Sequence, residues 1–448
     1  MSNFKQIFKD KKITVIGLGL LGRASGDTAF FAEYGADLIV TDLKTSEQLK
    51  DSLKKLEKYK NIKYVLGEHR LEDFRGRDFI LKTAGVPIDS LYIQEAEKNN
   101  IPVEMSAELL VRHSGLPTVA VTGTRGKSTV THLISHILKS ANKKIILGGN
   151  VRGVSNLQLL KEVQGKDFLV LELDSWQLQG FGAKKISPNV SVFTTFFPDH
   201  MNYYKGSMEK YFADKANIFK FQHKKDLLVV GSQAMPFVSE WGGEIKSEVV
   251  TPEGVLPEGW KFNLPGAHNE YNAMLAVEVA RHLGIPDEKI KKALNDFESL
   301  SGRLQFLREV NGIKIYNDNS STTPDATIAA LKAVGDITER KVILVFGGDN
   351  KFLYMSALIS EIPKFCSKVI LFKERGTDLI RDKVFELNKK GVEVYEEEGL
   401  ENTIKRAFQV AKSGETILYS PAFSSFGKYF TNEYDRGDQF VKIVESLK

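Results

Sequence analysis

The stretch TVAVTGTRGKSTVTHLISHIL, residues 118–138, carries the residue types and spacing best suited to chemistry. Val119 to Val121 read as a buried strand that stops at a turn containing Gly123 and Gly126. Lys127, Ser128 and Thr129 then open a helix whose apolar face is Val130, Leu133, Ile134, Ile137 and Leu138. A strand feeding a glycine turn and a helix N-terminus can cradle phosphate. Glycines let backbone N–H groups approach the oxygens, and the helix end favours an anion. Lys127 would add a point charge at the outer phosphates, and Ser128 a hydroxyl for Mg²⁺. The common phosphate-loop spacing calls for glycine at position 121, but Val121 stands there and the first glycine is Gly123. The pattern predicts ATP on a shortened loop; the blander reading is a structural turn.

A second constellation lies near the N-terminus. Gly17-Leu18-Gly19-Leu20-Leu21-Gly22 sits between a strand and a helix, and Asp42 ends the next strand where an acid would meet a ribose hydroxyl. Alone, this is a dinucleotide fingerprint and supports an NAD-dependent oxidoreductase. A second, different phosphate loop further along is unexpected in a simple dehydrogenase. Glu172 closes the apolar run Phe168–Leu171, at the strand end that faces the ligand crevice of an α/β sheet. There a carboxylate can hold Mg²⁺ beside a triphosphate.

These residues need a scaffold, and the chain supplies alternating strands and helices. Strands are predicted at Ile13–Ile16, Leu38–Val40, Tyr64–Leu66, Phe79–Leu81 and Val103–Met105, with helices at Ala29–Tyr34 and Ser46–Tyr59. Further strands fall at Lys144–Ile146 and residues 191–197, and helices at Met208–Phe221 and Ala273–Leu283; residues 226–266 read as irregular short strands and turns. After about residue 304 the alternation resumes, with strands at Ile313–Tyr316, Val342–Phe346, Val369–Phe372, Val392–Tyr395 and Ile417–Tyr419. The expectation is an α/β protein of three domains: 1–112 Rossmann-like, 113–303 a central phosphate-loop domain with a parallel sheet, and 304–448 Rossmann-like again. A length of 448 residues agrees with that number, at roughly 100–200 residues per domain.

Hydrophobic content of 42% with 27% charge is ordinary globular composition. The net charge of +5 is spread through interleaved acids and bases, without the basic block that nucleic-acid binding would use. The single cysteine, Cys366, excludes an intrachain disulfide and reads as a buried thiol. The apolar piece ITVIGLGLLG is too short to span a bilayer and lacks a cleavage pattern. A cytoplasmic protein with small-molecule partners, no nucleic acid, no membrane and a monomeric state is expected.

The loop Thr-Gly-Thr-x-Gly-Lys-Ser-Thr resembles that of the Mur ligases, ATP-dependent amino-acid ligases of peptidoglycan synthesis, and further motifs follow in family order. LGGNVRG (147–153) matches the family's Gly-Gly-Asn turn, and FLVLELDSWQLQ (168–179) its Leu-Glu-Leu-Ser-Ser-Phe-Gln-Leu, with Asp174 and Trp176 replacing Ser and Phe. Asp199-His200-Met201-Asn202 departs from Asp-His-Met/Leu-Asp only at Asn202. Pro265-Gly266 with His268, Asn269 and Asn272 is a family signature. Ser301-Gly302-Arg303 resembles the hinge into the last domain, with Gly302 where the D-glutamate-adding branch often has histidine. Asn317-Asp318-Asn319-Ser320-Ser321-Thr322 is similar to that branch's Asn-Asp-Ser-Lys-Ala-Thr, with Ser320 in place of lysine. Gly347-Gly348-Asp349-Asn350-Lys351, Ser420–Phe426 and Arg436-Gly437 with Phe440 match further segments of the branch.

The resemblance implies roles. ATP would meet Gly123, Thr124, Arg125, Gly126, Lys127, Ser128, Thr129, Asn269, Asn272, Arg303 and Asp318. Gly17, Gly19, Gly22, Asp42, Asn150, Gln177 and His200 would take the UDP-sugar. Thr322, Lys351 and Ser425 would bind the amino acid. Two Mg²⁺ would be held by Ser128, Glu172, His200 and Lys215, the last as a carbamate, since an ammonium repels a metal. Lys127, Glu172, His200 and Lys215 would be catalytic. The implied reaction joins UDP-N-acetylmuramoyl-L-alanine and D-glutamate through an acyl phosphate made from ATP. The L-alanine-, diaminopimelate- or lysine-, and dipeptide-adding siblings and folylpolyglutamate synthase stay open, as do an NAD-dependent oxidoreductase and an inactive nucleotide-binding protein.

Overall fold

Apolar strands alternating with helices should bury both faces of a parallel sheet. The structure, a computed structural model, describes residues 4–349, 353–425 and 427–447. Among these residues the strands form three sheets. In the first, β1 (Lys12–Ile16), β2 (Asp37–Asp42), β3 (Ile62–Leu66), β4 (Phe79–Lys82) and β5 (Val103–Glu104) run parallel in the order β3-β2-β1-β4-β5. The second contains β6 (Thr118–Thr122), β7 (Ile145–Gly149), β8 (Phe168–Glu172), β9 (Val190–Phe193), β10 (Leu227–Val230) and β11 (Glu248–Val250). They are parallel in the order β11-β10-β9-β6-β8-β7. The third orders β12 (Gln305–Val310), β13 (Ile313–Asn317), β14 (Val342–Phe346), β15 (Cys366–Phe372), β16 (Glu393–Glu397) and β17 (Thr416–Tyr419) as β12-β13-β17-β14-β15-β16. Only its β12–β13 pair is antiparallel.

The chain divides into two compact units, Met1–Glu258 with Asn272–Leu294, and Gly259–Tyr271 with Asn295–Lys448. The first two sheets belong to the first unit and share one core, running from Phe8, Phe30 and Phe31 to Leu171, Phe181, Phe193 and Phe212. Every residue of β6 is buried, so the strand that delivers the phosphate loop is fixed on both faces. The order of strands reverses at β1 and at β6, and crevices for ligands open at such switch points.

Several elements differ from expectation. The helix expected over Ser46–Tyr59 is regular only at Lys50–Lys54, because Leu49, Leu53 and Leu56 make too thin an apolar stripe to hold a lysine-rich run. Residues 226–266 are less irregular than their glycines and prolines suggest: β10, a Met235–Trp241 helix and β11 extend the second sheet. The strand expected over 191–197 ends at Phe193, since Thr194 and Thr195 turn to hold the phosphate loop. Helix Ala267–His282 starts earlier than expected. Strand β12 has no counterpart among the predicted strands; its turn into β13, Asn311-Gly312, has φ of 54° and 75° and is a hairpin signal. Cys366 is fully buried, and burial pushes its thiol pKa up.

Candidate active site

The phosphate loop leaves β6 through two glycines in the left-handed region, Gly123 at φ 140° and Gly126 at φ 85°. Neither tolerates a side chain. A Cβ on Gly123 would lie 2.0 Å from Thr194 Oγ1, and one on Gly126 2.5 Å from Asn272 Oδ1. The loop is held from the end of β9: Thr124 N donates to Thr195 O (2.7 Å), Arg125 N to Thr195 Oγ1 (2.9 Å), and Thr124 Oγ1 to Phe197 O (3.1 Å). Helix Lys127–Ser140 then starts behind Gly126 without a side-chain cap, the arrangement that leaves N-terminal amides to an anion. Lys127 Nζ lies over the loop, donating to Gly123 O (3.0 Å) and Thr124 O (3.3 Å). Arg125 pairs with Asp199 at 3.1 Å. Ser128 and Thr129 sit in the first turn, and Asn272 packs against the loop from its own helix.

Glu172 ends β8 in register with Val121, beside the start of this loop, and is buried. Its Oε1 accepts from Asn150 Nδ2 at 3.4 Å, while Asn150 Oδ1 accepts from Arg23 of the first sheet's leading helix. One amide thus bridges Arg23, which opens the helix after the first glycine turn, and Glu172 at the end of β8. His200 has a φ of 54° and lays its ring on Trp176, with centroids 4.6 Å apart. Lys215, on helix Met208–Ala216, is 1% exposed and donates from Nζ to Gly123 O at 2.9 Å. Burial first, and the charge of Lys127 second, hold its pKa well below the usual lysine range. That favours the neutral amine, the form able to capture CO₂.

These donors fit magnesium. Among the described residues no three His, Cys, Asp or Glu side chains converge on one point. Mg²⁺ commonly keeps waters and takes one or two carboxylates with substrate phosphates, for which Glu172, the Ser128 hydroxyl and a modified Lys215 would suffice.

In the first sheet Gly17, Gly19 and Gly22 all have positive φ, at 88°, 64° and 79°. Thr83 backs the turn: a Cβ on Gly17 would lie 2.4 Å from its Oγ1. Asp42 Oδ2 accepts from Gly19 N (3.0 Å) and Oδ1 from Lys44 N (2.9 Å), so the acid expected to read a ribose also pins the loop. Gln177 forms a capping box with Asp174, each side chain accepting from the other's backbone N–H.

The second unit carries the remaining candidates. Asn269 Nδ2 donates to Pro265 O at 2.8 Å in the first turn of its helix. Asp318 follows β13 and accepts from Leu304 N (3.1 Å) and Ser420 Oγ (2.8 Å). Burial raises its pKa to about 6. Arg303 is exposed beside Leu304. The loops after β13 and β17, which carry Thr322 and Ser425, are joined by Ala422 N donating to Ser321 O (2.9 Å). The buried Arg436 ties them again, through Asn319 Oδ1 (2.7 Å), Phe423 O (3.2 Å) and Ser424 O (3.1 Å). Lys351 lies outside the described residues.

Sequence reasoning misses Arg23, Thr194 and Thr195. Arg23 has one signal, a cation at the first helical position after a glycine loop; the threonines carry none of their own.

Three domain families match the chain: a Mur ligase MurD-like N-terminal domain over residues 11–104, a Mur ligase middle domain over 121–255, and a Mur ligase glutamate ligase domain over 302–423. A UDP-N-acetylmuramoylalanine--D-glutamate ligase from Borreliella afzelii (strain PKo) is 32% identical over 460 residues, covering 98% of each chain. The fold is similar to the crystal structure of the UDP-N-acetylmuramate-alanine ligase MurC from Thermotoga maritima, with a TM-score of 0.64 at 21% identity over 98% of this chain and 100% of that one. It is also similar to MurF ligase from Thermotoga maritima in complex with ADP, with a TM-score of 0.60 at 16% identity over 99% and 98% of the two chains. The chain belongs to the Mur ligase family, and it is an acid–amino-acid ligase that forms a carbon–nitrogen bond. No helix among the described residues is long and apolar enough to cross a membrane.

Proposed function

We propose that this ligase adds D-glutamate to UDP-N-acetylmuramoyl-L-alanine in the cytoplasm, converting ATP to ADP and phosphate. The observation that carries the reading is the full-length likeness to the Borreliella D-glutamate ligase. Residues 1–112 would hold the uridine nucleotide, 113–303 the ATP and 304–448 the amino acid. A free carboxylate is a poor electrophile, so phosphorylation of the L-alanyl carboxylate precedes attack by the D-glutamate amine. Lys127 and the amides of its helix would take the triphosphate and the charge that moves with the phosphoryl group. Bound Mg²⁺ would add Lewis-acid neutralisation of the phosphates. Ser128, Glu172, His200 and a carbamylated Lys215 would hold it. Arg303 and Asp318 would serve ATP, and Thr322, Lys351 and Ser425 the glutamate carboxylates.

Phosphate release from ATP, measured across acceptors and amino acids, tests this. Release should need UDP-N-acetylmuramoyl-L-alanine and D-glutamate together. Preference for L-alanine, L-lysine or diaminopimelate would overturn the branch and leave the ligase chemistry standing.

A further inference from the structure

We propose that Gln179 is a positioning residue that sets both His200 and Lys215 at the phosphate loop; the inference rests on the ligase reading above. Gln179 is 6% exposed on helix Ser175–Lys184, and its amide uses both ends. Its Oε1 accepts from Lys82 Nζ at 3.2 Å, at the end of β4 in the first sheet. Its Nε2 donates to Asp214 Oδ2 (2.8 Å) and to Tyr203 OH (3.0 Å). A lysine ammonium only donates, so the amide can face Lys82 in one sense only, and its NH₂ must point at the other two.

Each partner leads to an expected metal-holding group. Asp214 immediately precedes Lys215, whose Nζ meets Gly123 O of the phosphate loop. Tyr204 OH also donates to Asp214 Oδ2 (3.0 Å), which fixes that carboxylate from a second side. Tyr203 closes the turn that begins at His200, with its N–H donating to His200 O (2.9 Å), and its ring packs on Trp176, which carries the His200 ring. Gln179 therefore joins the nucleotide sheet, the histidine turn and the lysine helix. Lys82 is 2% exposed, and Asp214 is partly buried. Removing the amide between them takes a hydrogen bond from each of two ionisable groups in a poorly solvated place, which lets the elements carrying them shift.

Mn²⁺ serves as the probe, titrated by electron paramagnetic resonance against the full chain with ADP, beside steady-state ligation. Gln179→Met should weaken Mn²⁺ binding and lower kcat by about tenfold each, a coupling ordinary for a shared polar network. KM for ATP should stay within about twofold, because the loop amides are untouched. The pair Gln179→Glu with Asp214→Asn keeps an acceptor for Lys82 and a donor across from it, and should recover most of both losses. Tyr203→Phe removes a single arm and should shift the same two readouts less, which keeps the test usable if Gln179→Met does not fold. Wild-type Mn²⁺ affinity in Gln179→Met or Tyr203→Phe, with only the melting temperature lowered, would overturn the inference and spare the ligase reading. A wild-type chain that takes up no Mn²⁺ with ADP would remove both.

Discussion

The two glycine loops of the first unit leave their sheets in the same way, from the strands β1 and β6 where the strand order reverses. Each passes through left-handed glycines into a helix with no side-chain cap. They differ in what surrounds the turn. The first is open above Gly19, where an added Cβ would meet nothing within 4 Å, and an acid, Asp42, ties it from the neighbouring strand. The second is walled by Thr194, Thr195 and Asn272 and overlaid by two lysines, Lys127 and Lys215, both donating to Gly123 O. An acid beside a turn suits hydroxyls and limits the charge it can hold; the Lys127 ammonium over the second turn suits a triphosphate. One backbone device is thus set in two different surroundings, and those surroundings suit different ligands.

The largest effect should come from removing the cation that sets the loops apart. Lys127→Ala should lower acceptor-dependent phosphate release by about 10²- to 10³-fold, the usual loss for a donor aimed at transition-state charge. Its melting temperature should move little, since its hydrogen bonds to Gly123 O and Thr124 O lie within its own loop. Near-normal turnover in this variant would erase the distinction between the loops. Next comes Gly126→Ala, which forces a side chain into a φ of 85° and against Asn272 Oδ1. Strain of roughly 1–3 kcal/mol should appear as a lower melting temperature, and KM for ATP should rise by about tenfold. An unchanged KM for ATP would show that Asn272 does not shape the nucleotide cradle.

Much of this contrast is legible in the sequence, because both turns are written in consecutive residues. Gly17 to Gly22 and Gly123 to Lys127 each state a backbone need and a charge within a few positions. The groups that distinguish them are scattered. Lys82 and Gln179 stand 97 residues apart, and Arg125 and Thr195 70; only the sheet order brings them together. Spacing marks Asp42 as a ribose ligand, but nothing local says that it also pins Gly19. The same limit applies to elements. Buried strands announce themselves through apolar runs, whereas β12, half-exposed at an edge, and the short Met235–Trp241 helix carry patterns too mixed to stand out.

A smaller effect is expected from the acid. Asp42→Asn keeps one oxygen but cannot accept from both Gly19 N and Lys44 N as the carboxylate does. Loss of one hydrogen bond to a charged group, typically about 1.5–3 kcal/mol, should raise KM for the uridine acceptor by about tenfold and leave KM for ATP alone. Equal rises in both would mean that Asp42 supports the unit as a whole and does not select a ligand.

The smallest change in stability, and the sharpest contrast with Gly126, should come from Gly19→Ala. Its φ of 64° is less strained for a side chain than the φ of Gly123, and the space around it is open. The fold should therefore lose only about 1 kcal/mol, the ordinary cost of a left-handed alanine, read as a slight fall in melting temperature. Binding should respond more than folding does. The second glycine of such a turn leaves room for a pyrophosphate to approach the backbone, and a methyl group would stand in that room. KM for the uridine acceptor should rise while KM for ATP holds. If acceptor binding is unaffected, the open space over Gly19 is not where the uridine phosphates lie, and the division of labour between the two loops fails at its first member.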